Sequence, residues 1–264
     1  MEIIICATER RVGEVGAARV AQIIDRVGPG VVLGVATGGS PLATYAELAA
    51  RVRSGQLDLS QASAFALDEY IGLPIDHPQS YFDTIRRTVT EPLGFNPARV
   101  HVPDGSLDGI DTAGQRYEDL IQAAGGVDIQ ILGIGSNGHV GFNEPTSSLR
   151  SRTRMKTLTP RTREDNARFF SSIDEVPRHC ITQGLETIMN ARHVILVANG
   201  ESKAEAIAAI IEGPITAMWP GSILQMHPRA TIVVDEAAAS RLTLIDYYKQ
   251  VYADLPDSHR LDVQ

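Results

Sequence analysis

Two cysteines in 264 residues, Cys6 and Cys180, are too few for a disulfide framework. Both lie in or beside apolar stretches, which points to inert buried thiols in a reducing compartment. No apolar run approaches the roughly 20 residues that a helix needs to cross a bilayer. The first ten residues, MEIIICATER, lack a basic segment, carry Glu2 and hold too short an apolar run for a secretory leader; they read as a first strand. A cytoplasmic protein is therefore expected. Basic residues are in deficit: 24 Lys and Arg against 32 Asp and Glu give a formal charge of −8. With no basic stripe, a nucleic-acid partner is not expected. None of the seven histidines has the spacing of a paired His or Cys metal site, so no metal is expected. Ser/Gly linkers, low-complexity tracts and internal repeats are missing too, and one domain over residues 1–264 is the expectation.

What is present is ample apolar material, 43% of the chain, in a regular alternation. Short β-type runs fall at 3–6, 31–36, 64–67, 100–102, 129–134, 193–198 and 230–234. Segments of helical period fall between them, at 12–27, 42–53, 79–89, 112–123, 161–169, 202–211 and 237–253. This order implies βαβ units and a doubly wound, mostly parallel, Rossmann-like α/β sheet. The strands are nearly continuous hydrophobic runs, as required when helices cover both faces. Ligands of such sheets bind outside the carboxyl ends of the strands, so the residues just after each strand are the ones to search. The longest irregular stretch is 144–160, rich in Ser, Thr and Arg.

The second run ends in ATGGSP. Gly38 and Gly39 allow a ligand close to the backbone, Thr37 and Ser40 add hydroxyls, Ser40 suits an N-cap and Pro41 a first helical turn. Free N–H groups there favour an anion, although the same letters also make an ordinary βα turn. No Gly-Lys-Ser/Thr follows, so this is not a nucleotide P-loop. The third run ends in FALDEY, with Asp68 and Glu69 at its carboxyl end in a loop before a helix near Pro78, where Asp76 and Gln79 resemble a capping box. A carboxylate such as Asp68 abstracts a proton from carbon if burial raises its pKa; the alternative is a solvated acidic loop.

The fifth run leads into GIGSNGHVGFNEP, residues 133–145. Its first half matches the dinucleotide fingerprint G-x-G-x-x-G. However, Gly141 and Pro145 interrupt the helix that motif needs, and no acid follows about 20 residues on. What remains is a tight loop presenting Asn137, His139 and Glu144. A histidine shuttles protons near neutral pH if its second nitrogen has a partner, which either Glu144 or Asn137 could supply. The sixth run ends in ANGESKAEA, where Gly200 turns the chain, Ser202 can cap and Lys203 opens a helix. A lysine in the first turn opposes the helix dipole, which favours a bound anion.

Over nearly its whole length the chain resembles the glucosamine-6-phosphate deaminase family, through ATGGSP, ALDEYIGLPIDHPQSY, GIGSNGHVGFNEP, SLRSRTRMKTLT, the Asn-Ala-Arg-Phe-Phe run ending at Phe170, and ILQMHP. The resemblance implies conversion of glucosamine 6-phosphate and water to fructose 6-phosphate and ammonia, with no metal or organic cofactor. It implies that Asp68 moves a proton between C2 and C1. It further implies that His139 opens the sugar ring with Asn137 and Glu144 beside it, and that Thr37, Gly38, Gly39, Ser40, Arg168 and Lys203 hold the phosphate. Some members have aspartate where this chain has Asn137, which leaves Glu144 to supply the negative charge. Some members are hexamers activated by N-acetylglucosamine 6-phosphate, and Ser148, Arg154 and Lys156 match that allosteric site. Two alternatives stand beside this reading. One is a 6-phosphogluconolactonase-like hydrolase, similar in fold; the other is a non-catalytic sugar-phosphate-sensing domain.

Overall fold

A computed structural model describes residues 1–256 and 261. Seven strands form one parallel sheet: β1 (Glu2–Cys6), β2 (Val32–Val35), β3 (Ser63–Ala66), β5 (Val100–His101), β6 (Ile129–Leu132), β9 (His193–Ala198) and β10 (Ala230–Asp235). Their order across the sheet is β1-β10-β9-β6-β2-β3-β5. All seven fall on the runs expected from the sequence. From β2 the chain steps outward to β3 and β5, then returns to the other side of β2 with β6. The switch point of the topology therefore lies between β2 and β6, where a crevice opens at the strand ends.

Alternate residues of each strand feed two separate cores. Ile195 and Val197 of β9 join Leu33, Val35, Ile129 and Ile131 on one face, beneath helices α1 (Glu9–Val27) and α2 (Leu42–Arg53). Val194 and Leu196 join Leu132, Ile232 and Val234 on the other, against Tyr117 of α4 (Ile110–Ala123) and Ile207 and Ile210 of α7 (Ala204–Ile211). Burial on both faces is what makes these strands continuously apolar in sequence. Cys6 and Cys180 are free and buried, and burial pushes the Cys6 thiol up to about 11. Among the described residues no helix is long and apolar enough to cross a membrane.

Several expectations are corrected. Asp68 and Glu69 do not sit in a loop: β4 (Asp68–Tyr70) is the edge of a second, antiparallel sheet, ordered β4-β8-β7. Its partners are β8 (His179–Thr182) and β7 (Arg154–Thr157), and β7 runs through the stretch expected to be irregular. The helix near Pro78 starts later, as α3 (Tyr81–Ile85), and runs into a π-helical turn at Arg86–Thr90. Its N-cap is Ser80, whose hydroxyl accepts from the Asp83 amide at 3.0 Å, so Asp76 and Gln79 form no capping box. The helix expected over 161–169 is α5 (Pro160–Ala167), capped by Thr159. The last helix, α8 (Ile245–Ala253), begins well after position 237. There the Glu212 carboxylate holds the Thr243 and Leu244 amides and keeps the preceding segment in turns.

Candidate active site

Residues from six parts of the chain converge on a cleft of about 190 Å³ at the switch point. The first wall follows β2. The Tyr45 hydroxyl takes the Ala36 amide at 2.9 Å and gives to the Ala36 carbonyl at 3.0 Å, which ends the strand. Thr37, Gly38, Gly39 and Ser40 then line the cleft. Gly38 has φ +93°, a conformation that favours glycine, and no atom lies within 4 Å of where a Cβ at either glycine would sit. Ser40 is not the N-cap. Pro41 holds that position and α2 begins at Leu42, so the Ser40 side chain lines the cleft instead.

Lys203 and Arg168 complete the cationic part of the lining. Lys203 ends a 3-10 turn, Glu201–Lys203, that opens α7 without a side-chain cap, so Ser202 does not cap either. The turn is fixed from behind, because Asp235 at the end of β10 accepts the Gly200 amide through both carboxylate oxygens. Arg168 is the C-cap of α5, with its guanidinium 4.7 Å from the centre of the Phe169 ring.

The base candidate faces this cationic lining. Asp68 lines the cleft and is only 4% exposed. Burial, and secondarily the charge of Glu69, raise its carboxyl well above the ordinary aspartate value. β4 is held in register by β8, with Asp68 opposite Thr182. The solvated-loop alternative is excluded by that burial.

The loop after β6 brings His139 to the cleft. His139 Nδ1 lies 2.6 Å from Asn137 Oδ1, and Asn137 Nδ2 donates to Glu144 Oε2 at 2.7 Å. Because an amide oxygen only accepts, Nδ1 carries the proton and Nε2 is the ring nitrogen that keeps an acceptor lone pair. The direct partner is therefore Asn137, with Glu144 behind it, 3.7 Å from Nδ1. Glu144 is 4% exposed; its Oε1 accepts from the Thr162 hydroxyl, and Thr159 Oγ1 lies at 3.4 Å, tying the relay to the start of α5. Gly135 serves the ring rather than a cofactor: a Cβ there would stand 2.1 Å from His139 Cε1. Just past Glu144, Thr146 has φ +74°, alone among the described non-glycine residues in that region, with its amide held by the Ala217 carbonyl. Such strain clusters at functional loops.

Ser148, Arg154 and Lys156 lie outside the cleft lining. Ser148 sits exposed in a turn, accepting the Arg150 amide, while Arg154 and Lys156 share the half-buried face of β7. Arg154 donates to Asn143 Oδ1 at 2.8 Å, beneath the histidine loop. Sequence reasoning missed Tyr81, Thr162, Asn166 and Phe142, all of which line the cleft. Tyr81 stands inside the string ALDEYIGLPIDHPQSY, but nothing local marks it as a wall residue. Among the described residues no group of three or more His, Cys, Asp or Glu side chains could hold a metal ion.

Glycines, hydroxyls and two cations near strand ends, a buried carboxylate of raised pKa and a hydrogen-bonded histidine share one cleft, in an α/β enzyme of the sugar-phosphate isomerase type. The chain belongs to the family of glucosamine-6-phosphate isomerases/6-phosphogluconolactonase, which matches residues 7–233. It is 57% identical to a glucosamine-6-phosphate deaminase of Cutibacterium acnes over 94% of this chain and 95% of that one. It is 53% identical to the deaminase of Mycolicibacterium smegmatis over 97% and 98%. A solved monomeric glucosamine-6-phosphate deaminase superposes with a TM-score of 0.88 at 39% identity, covering 91% of this chain and all of the other. A 6-phosphogluconolactonase from Trypanosoma cruzi shares the fold, with a TM-score of 0.73 at 20% identity over 92% and 97%.

Proposed function

We propose that this chain converts glucosamine 6-phosphate and water to fructose 6-phosphate and ammonia. The observation that carries the reading is Asp68, a buried carboxylate of raised basicity in the same cleft as His139 and the cradle. Thr37 to Ser40, Arg168 and Lys203 hold the phosphate and fix the sugar at its far end. His139, through Nε2, shuttles the proton between the ring oxygen and the C1 hydroxyl as the pyranose opens. Asn137 keeps the proton on Nδ1, and Glu144 balances the imidazolium charge. Asp68 then takes the C2 proton of the open-chain aldehyde and returns it to C1 through an enediol-type intermediate, leaving an imine at C2. Water adds to that imine and ammonia leaves. Keeping one proton between adjacent carbons needs a single base shielded from solvent, as Asp68 is.

Lactone hydrolysis needs no carbon-acid base and leaves the burial of Asp68 without a use. A sensing domain needs no raised carboxylate at all. One assay separates these readings: the protein is incubated with glucosamine 6-phosphate and ammonia is measured. Hydrolysis of 6-phosphogluconolactone without ammonia release overturns the proposal, and binding without turnover of either compound supports the sensor.

Activation and assembly belong to the same proposal. Ser148, Arg154 and Lys156 are the residues through which N-acetylglucosamine 6-phosphate would activate a hexamer. The solved relative described as monomeric makes assembly the point to measure. Initial rates titrated with activator, together with mass by light scattering, decide it; a monomer indifferent to the activator removes this part.

A further inference from the structure

One acidic side chain beside the cleft has no part in the steps above. Glu69 follows Asp68 in β4, and the alternation of a strand sends the two carboxylates to opposite faces. Glu69 is 6% exposed, and no cation pairs with it among the described residues. Its carboxylate accepts three backbone N–H groups instead. Oε1 takes those of Tyr70 at 2.7 Å and Tyr81 at 2.9 Å, and Oε2 takes that of Phe82 at 2.8 Å. Burial raises the Glu69 carboxyl, and these three donors work against the rise. A buried acid held by amides alone remains a charge without a counter-ion.

Two of the three amides belong to the first turn of α3. That turn carries Tyr81 into the cleft wall, where its ring stacks on Phe142 of the histidine loop at 5.8 Å and 11°. Glu69 thus ties the strand bearing the base to the helix bearing the opposite wall. Around Asp68 the other titratable groups are Tyr70 on its own strand, Tyr81 on α3, Tyr117 on α4, Cys180 on β8 and His139 across the cleft, with Arg168 and Lys203 in the lining. The three phenols and the thiol are pushed up by burial and stay neutral at working pH. Glu69 is the charge that acts on Asp68 after burial itself.

We propose that Glu69 is a positioning residue for proton transfer at carbon: it clamps the strand of Asp68 to α3 and keeps a fixed negative charge behind the base. The inference rests on the deaminase reading. Its test uses two variants of the full chain with ammonia release as the rate, kcat/KM followed against pH, and exchange of the C2 proton with solvent. Glu69→Gln removes the charge and one acceptor. Its acid limb should move to lower pH by about 0.5–1 unit, because a base relieved of a negative neighbour protonates later, and kcat should fall about tenfold. Glu69→Asp keeps the charge but shortens the reach, so kcat should fall with the limb unmoved. An acid limb at its wild-type position in Glu69→Gln overturns the proposal, as does a wild-type kcat or a shifted limb in Glu69→Asp. If Glu69→Gln does not fold, Glu69→Asp decides alone by the same two readings. A wild-type protein that neither releases ammonia nor exchanges the C2 proton sinks the deaminase reading instead.

Discussion

Asn137 stands between His139 and Glu144, 2.6 Å from the imidazole Nδ1 and 2.7 Å from the carboxylate. The asparagine accepts from the ring but carries no charge, so in the proposed mechanism Glu144, at 3.7 Å from Nδ1, is the anion assigned to meet the imidazolium. Glu144→Gln keeps the size and loses that charge. Ring opening should slow about 100-fold or more, in the range of general acid–base contributions, while a ring-opened substrate analogue is spared. Wild-type rates on both the natural substrate and the analogue would reject the assignment.

Asp68→Asn should abolish isomerisation and leave inhibition by inorganic phosphate largely intact. It should also stabilise the protein. The folded carboxyl sits above its unfolded value, so ionising it costs stability as pH rises from the unfolded value towards the folded one. The variant should therefore melt at a higher temperature than wild type at pH 7–8, by a few degrees, an advantage that disappears towards pH 4. Thermal melts at both pH values check it; a variant less stable at pH 8 than wild type contradicts the sign.

Gly135→Ala places a methyl 2.1 Å from His139 Cε1 and 2.3 Å from Nδ1. The ring must move, and displacement of about 1 Å at a catalytic group costs on the order of 100-fold in rate. We expect kcat to fall by that amount with circular dichroism and phosphate inhibition unchanged. An active Gly135→Ala enzyme would mean that the ring is not held where the relay needs it.

Arg168→Ala and Lys203→Ala each remove a cation from the lining. Loss of a charge-assisted hydrogen bond corresponds to about 10- to 100-fold, so KM should rise by that factor. Competitive inhibition by inorganic phosphate should weaken in parallel. A raised KM with unchanged phosphate inhibition would place these residues elsewhere on the sugar.

Much of this site was legible in the chain because its parts follow strands. Thr37 to Ser40, Asp68, His139 and Lys203 each lie within a few residues of a strand's carboxyl end, and a doubly wound sheet gathers those ends. The apolar runs of 3–6 residues that form the seven-stranded sheet are marked by composition, since burial on both faces demands it for most of them. The misleading half of GIGSNGHVGFNEP was also open to rejection from sequence, through Gly141 and Pro145.

What the chain by itself determined, then, was the parallel sheet, the loops at its switch point and the residue types they present. Tertiary structure alone decided that Asp68 is buried on a three-residue strand, paired with β8 more than a hundred positions away. Tertiary structure likewise set Asn137 between His139 and Glu144, turned Arg154 towards Asn143, and made Glu69 a clamp on α3. The reason is physical. Periodicity records which faces of a segment meet the core, whereas short strands and buried carboxylates owe their state to hydrogen bonds and desolvation from distant parts of the chain.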